Sequence, residues 1–336
     1  VKNMTSKTVT LPTSLRAKNR SIEIPKSLEQ LSKTELQRKK CINIIMTDVL
    51  KHLTTKFIEK EFEWMLPVIF SQSTDPLWPD PGASIKKRIE VEIYGTTVRT
   101  TLSMIIHKMV ACSLVHPKLF ILSPNVRIEK NERSKSGIHA YEFTQFDFEV
   151  RNAAFQDIKS LVEEVFCGLI KKLKKEREKE LLHLARFNSL NIPRNSFRIF
   201  DREDLEEEYG KGWEDQLIFE INEPVWVINI PREFYDYEDL GTNTWYNYDL
   251  FLPKFGEVLS GSRREHEYSK IIKKMERDNI RKDNYKVLLA LAKEGKITPS
   301  AGAGIGVERL VSWIVEAKHI GETQPFPKIP GKVYEL

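Results

Sequence analysis

Near the C-terminal end the chain reads SAGAGIGVERL, residues 300–310. Gly302, Gly304 and Gly306 permit close approach to the backbone, and the run passes from a turn or strand into an apolar helix that carries Arg309 in its first turn. Upstream, the stretch NVRIEKNERSKSGIHAYEFTQFDFEV, residues 125–150, reads as two strands, Phe120–Ile128 and Tyr141–Val150, joined by a polar loop around Gly137. Further strands are expected at 217–221, 225–230, 245–252 and 256–262, and a hairpin at Arg88–Tyr94 and Thr97–Leu102 with Gly95 in its turn. Residues 61–74 read as strand passing through Pro67. A helix should start near Ser32, with Glu35 completing a capping box, and bury Ile42, Ile45, Met46, Val49, Leu53 and Phe57. Helices are also expected over 103–116, 152–188 and 263–294. This mixture predicts an α+β fold, an antiparallel β-sheet flanked by helices.

Composition narrows the class. With 336 residues, 40% hydrophobic and 30% charged, the chain can bury a substantial core. No run approaches the roughly 18 apolar residues of a membrane span, and no signal peptide is read at the N-terminus, so no membrane is expected as a partner. Cys41, Cys112 and Cys167 are isolated, which fits a reducing cytoplasm and argues against a zinc site. The net charge of +5 is uneven: residues 1–40 hold ten Lys/Arg and three Glu, and the rest is slightly acidic. Residues 1–30 are read as a basic tail ahead of one domain over 31–336. The tail is a solvated lead-in or an arm that touches nucleic acid, and its lack of interleaved aromatics favours the former.

Three segments carry candidate chemistry. On the first strand Arg127 and Glu129 share a face; on its partner Phe143, Gln145 and Asp147 share one, with His139 in the loop between. A forked donor and an aromatic face suit a phosphate-bearing aromatic ligand, although one such hairpin is also compatible with ordinary cross-strand charge pairing. In YDLFLPKFGEVLSGSRRE, Asp249 and Glu257 offer hard oxygen ligands on neighbouring strands, with Arg264 seven residues beyond. The third segment is the glycine run with Arg309.

In this order the segments resemble the class II aminoacyl-tRNA synthetase catalytic domain of the aspartate/asparagine branch. Arg-x-Glu, a loop and His-x-x-Glu-Phe-Thr-x-x-Asp resemble its motif 2, and Gly302–Leu310 its motif 3. The helix near 40–60 with Pro67 resembles motif 1, which implies a homodimer. The resemblance implies ATP and Mg²⁺ as cofactors. Arg127 is placed on the α-phosphate and the reacting carboxylate, and Phe143 and Arg309 on either side of adenine. Glu129 is placed beside the adenine, His139 at the far phosphates, and Asp249 and Glu257 on Mg²⁺. Arg127, Arg264 and Arg309 are the implied catalytic residues. In TTLSMIIHKMV, Ser103 and Lys108 fall on the family's amino-acid-recognition helix; Gln145 and Asp147 are placed at the substrate's amino group. Lys108 and Arg264 together imply an acidic side chain, L-aspartate, between them, since an uncharged amide would leave a buried charge uncompensated at a cost of about 3–5 kcal/mol. Otherwise Lys108 is a snorkelling surface lysine. Ile138 stands where the family often has an arginine, and Arg133 is a candidate replacement.

About 30 residues precede the core, too few for the family's anticodon-binding barrel, so tRNA is not expected as a partner. The wording LSPNVRIE, HAYEFTQFD, FGEVLSGSRRE and PSAGAGIGVERL is similar to the archaeal asparagine synthetase A family related to asparaginyl-tRNA synthetase. That similarity implies ATP-dependent amidation of aspartate by free ammonia through a β-aspartyl-adenylate. The alternatives are a truncated ligase that charges tRNA and a non-catalytic regulatory paralogue.

Overall fold

The computed structural model describes residues 22–73, 85–87, 89–194 and 196–335. Most of the basic tail, Arg88 and residue 74 lie outside the described residues.

Among them the chain builds an eight-stranded sheet. In chain order its strands are β1 (Glu63–Trp64), β2 (Lys118–Val126), β3 (Glu142–Arg151), β4 (Arg198–Asp201), β5 (Val225–Ile228), β6 (Asn247–Leu252), β7 (Gly256–Arg263) and β8 (Ser300–Gly306). The spatial order is β1-β2-β3-β8-β7-β6-β5-β4. The six central strands pair antiparallel, and β1 and β4 add a parallel edge at each end. The expected hairpin forms as Glu90–Ile93 and Thr96–Thr100.

Side-chain alternation divides the sheet into two chemical faces. Phe120, Phe146 and Phe148 point to one face, where they meet helices α1 (Lys33–Glu59), α3 (Phe155–Glu176) and α5 (Val307–Val315) in the main core. Phe57 of α1 lies at the centre of this packing, with ring centroids 4.7 Å from Phe62, 4.7 Å from Phe146 and 5.0 Å from Phe148. The start of α1 is held by the capping box of Ser32 and Glu35. The opposite face carries Gln145, Asp147 and Glu149 of β3. It is covered by α2 (Ile105–Leu114) and by the cluster that α2 forms with α4 (Tyr268–Arg277) and the helix Lys286–Lys293. The polar face therefore lies under a second layer of helices, and the candidate site forms in that layer.

Four expectations change. Of the expected strand 217–221, residues 217–220 belong to a helix, Trp213–Glu220, because Trp213, Leu217 and Ile218 make a buried helical stripe that a short apolar run does not distinguish from a strand. The helix expected over 152–188 ends at Glu176 and resumes at Glu178–His183. At the break Arg177 leaves helical geometry and pairs with Asp48 of α1. Residues 61–74 yield only Glu63–Trp64 and Phe70–Ser71 as strand. The segment 263–294 opens as the end of β7 and holds two helices rather than one.

Candidate active site

Eleven of the twelve residues singled out in the sequence line one cavity: Ser103, Lys108, Arg127, Glu129, His139, Phe143, Gln145, Asp147, Glu257, Arg264 and Arg309. They come from α2 and the residue pair before it, the connection between β2 and β3, β3 itself, β7 with the residue after it, and α5, so the fold brings together positions about two hundred residues apart. Asp249 of β6 stands apart, buried behind Arg232, whose Nη2 donates to Asp249 Oδ2 at 2.5 Å.

At one end of the cavity, Arg127 lies over the Phe143 ring, 5.2 Å from its centroid, and donates through Nε to the Leu102 carbonyl at 3.0 Å. Arg309 approaches Glu257, Nη1 to Oε1 at 3.3 Å. Ser136 Oγ and His139 Nδ1 are 2.6 Å apart. Glu308 receives the Thr144 N–H on both carboxylate oxygens at 3.0 Å, and burial pushes its pKa up to about 7. Burial likewise raises Asp249 to about 7 against the pull of Arg232, and the neighbouring Glu257 adds to the rise. Burial also opposes ionisation of Glu257, but Arg309, Arg232 and Arg127 outweigh it and hold its carboxyl below the ordinary value.

The other end is a buried charge network. Lys108 is wholly buried, which removes the snorkelling reading. Its ammonium donates to Asp147 Oδ1 at 3.0 Å, the Phe148 carbonyl at 3.2 Å and the Ala303 carbonyl at 3.1 Å. Those contacts engage its three hydrogens. Arg264 donates to Glu149 Oε1 at 3.2 Å and to Asp236 Oδ1 at 2.6 Å. The two cations bracket one carboxylate, the protein's own Glu149, which Lys108 approaches at 3.6 Å. The sequence reading instead places a substrate group between them. Asp147 Oδ2 is buried without a hydrogen-bond partner.

The glycines of β8 make this network possible. A Cβ on Gly302 would lie 2.2 Å from Glu149 Oε2, and one on Gly304 would lie 2.8 Å from Asp147 Oδ1. β8 has to be bare where the acidic side chains of β3 cross it.

Sequence reasoning missed Glu149, Arg232, Glu233, Tyr235, Asp236 and Glu308. Glu149 lies beneath the cavity and the other five line it. Four of the six fall in PREFYDYED, a stretch dense in charges and aromatics whose lack of helical or strand period is the signal that could have found it. Arg133, offered as the replacement for an absent loop arginine, is exposed and does not line the cavity; Arg232 does.

The donor set is that of hard oxygens and guanidinium groups. Among the described residues no group of three or more His, Cys, Asp or Glu side chains could hold a metal ion. Asp249 and Glu257 are a pair, which suits an ion that shares its coordination with phosphates. Asp249 Oδ1 is buried with no hydrogen-bond partner, so the residues present fit such an ion.

Residues 85–330 match the family model for class II tRNA synthetases (D, K and N). The chain belongs to that family. Relatives include the asparagine–tRNA ligase of Thermococcus kodakarensis, 27% identical over 65% of this chain and 54% of the relative. The asparagine–tRNA ligase of Mycoplasmopsis pulmonis is 29% identical over 71% of this chain and 59% of its own length. The chain thus spans little more than half the length of these curated relatives. In fold, it matches the asparaginyl-tRNA synthetase of Pyrococcus horikoshii complexed with asparaginyl-adenylate. The TM-score is 0.76 at 21% identity, over 93% of this chain and 76% of that one. The expected class II synthetase-like catalytic fold is therefore present, in a class II synthetase-like ligase family. Among the described residues no helix is long and apolar enough to cross a membrane.

Proposed function

We propose that the protein activates L-aspartate with ATP and passes the activated β-carboxyl to ammonia, giving asparagine, AMP and pyrophosphate. The observation that carries this reading is the division of one cavity into two ends. Arg127, Phe143 and Arg309 form a set that suits a nucleotide, and the buried Lys108, Arg264 and Asp147 of the same cavity form a set that suits an amino acid.

At the nucleotide end Phe143 and Arg309 hold the base, Glu129 contacts it, and His139 reaches toward the outer phosphates. Arg127 meets the α-phosphate and draws the attacking carboxylate to it. Two anions must meet there, and the guanidinium offsets their repulsion. Asp249 and Glu257 would hold Mg²⁺, which supplies charge neutralisation on the triphosphate.

At the amino-acid end Asp147 is turned by its bond to Lys108 so that its unpaired Oδ2 remains to accept the substrate ammonium, with Ser103 and Gln145 alongside. Arg264 turns Nε and Nη2 to Glu149 and the Gly302 carbonyl and one Nη1 hydrogen to Asp236, so its second Nη1 hydrogen is left as the direct partner of the substrate's acidic side chain. Lys108 favours that group through its field and through Asp147. Ammonia as acceptor follows from the similarity of the four motif segments to the archaeal asparagine synthetase A family.

A second reading has its own support: the relatives are tRNA ligases, which transfer an activated amino acid to tRNA. Product analysis separates the readings. With aspartate, Mg·ATP and ammonium, asparagine and AMP should accumulate together without added tRNA. AMP formation that depends on tRNA would replace this reading with the ligase, and no AMP in any mixture would leave a non-catalytic module.

A further inference from the structure

The loop after β5 carries Arg232, and its backbone is fixed on both sides. Ile230 N–H donates to Asn247 Oδ1 at 2.9 Å, Tyr237 N–H donates to the Arg263 carbonyl at 2.8 Å, and Glu265 N–H donates to the Tyr235 carbonyl at 2.8 Å. Arg232 therefore reaches into the cavity from a held backbone, and its freedom lies in its side chain, which is 27% exposed. Burial opposes its charge, and Asp249, Glu233, Glu257 and Asp236 together overcome that opposition. The bond to Asp249 is made at one point. It leaves Arg232 Nε and Asp249 Oδ1 both buried without hydrogen-bond partners. A guanidinium committed to a carboxylate normally uses its fork, two parallel bonds, and here it does not.

We infer that Arg232 is a displaceable counter-charge, which neutralises Asp249 in the nucleotide-free protein and yields that carboxylate to a divalent cation when nucleotide enters. The inference rests on the reading of Asp249 and Glu257 as the metal pair. Glu257 already has Arg309 beside it, so each carboxylate of the pair is engaged by an arginine. A cation arriving alone must displace Arg232 from Asp249 and take away the carboxylate to which its guanidinium is bonded. A cation arriving with a triphosphate does not, because the phosphates supply the released guanidinium with oxygen acceptors. Cation and nucleotide should therefore strengthen each other's binding, and the coupling should be reciprocal.

The test is Mn²⁺ binding, read from the electron paramagnetic resonance signal of the free ion, on the full chain with and without a non-hydrolysable ATP analogue. Without nucleotide, Arg232→Gln should bind Mn²⁺ about tenfold more tightly than the wild type, within the usual range of such couplings. The analogue should tighten Mn²⁺ binding to the wild type by at least about tenfold and to the variant by distinctly less. Arg232→Met, which keeps an apolar stem, is judged by the same criterion if the glutamine variant does not fold. Nucleotide-free affinity in the variant equal to or weaker than the wild type overturns the inference, while analogue-dependent Mn²⁺ binding leaves the metal reading standing. Absence of Mn²⁺ binding in every mixture removes the inference and the metal reading together.

Discussion

Glu308 shows how burial sets the chemistry of a single carboxyl. It receives the Thr144 N–H, yet it is buried deeply enough that its pKa rises from 4.5 to about 7. An acid whose pKa is higher folded than unfolded binds more protons in the native state between those values. Its stabilising contribution is complete below the unfolded pKa and is lost as pH climbs through about 7. The displacement corresponds to roughly 3 kcal/mol, and Asp249 acts in the same direction. Urea unfolding of the nucleotide-free protein should therefore give lower stability at pH 8 than at pH 5. In Glu308→Gln that fall should shrink by roughly 2–3 kcal/mol. An unchanged pH slope would show that the Glu308 carboxyl titrates in its ordinary range.

At the scale of elements, β8 and β3 depend on each other. β8 presents glycine where β3 presents Asp147 and Glu149, in the pairs Gly304 with Asp147 and Gly302 with Glu149. A methyl group on Gly302 would collide with Glu149 and with the Phe148 carbonyl, and neither a paired strand nor a buried carboxylate held by two cations gives way easily. On Gly306 the nearest atoms to the same methyl would be those of the Arg309 side chain, at 3.3 Å. Gly302→Ala should cost about 3 kcal/mol or more, the upper end of overpacking, and Gly306→Ala less than about 1 kcal/mol. Equal costs in urea titrations would mean that the sheet relaxes around Glu149 and that the bare strand is not what holds the network.

At the scale of the whole molecule, the outer edge of the sheet bears on assembly. β1 is short and, among the described residues, pairs on one side only, with β2. Around it Trp64, Leu66, Ile69 and Phe70 are exposed, Leu66 by 81%. Large exposed apolar side chains along one edge suit an association surface, and the segment is the one whose resemblance to motif 1 implies a homodimer. Sedimentation of the wild type at micromolar concentration should give twice the chain mass, and Leu66→Glu should shift it to the chain mass with the helical spectrum retained. A wild-type monomer under those conditions would remove the dimer.

The sequence by itself determined the long elements and the residue types of the site. α1 was legible in its capping signal and apolar period, β2 and β3 in their alternation, β8 and α5 in the glycine run ahead of an apolar helix. Each of these signals is local, because period and capping are properties of neighbours in the chain. Tertiary structure decided what depends on neighbours in space. It made Lys108 a buried strut bonded to Asp147, put the protein's own Glu149 between Lys108 and Arg264, and covered Asp249 with Arg232. It also turned 217–220 into helix and brought the loop of Arg232 to Asp236 to the cavity wall. No local pattern encodes those outcomes, since a charge shows its partner only after the sheet has closed the distance between them.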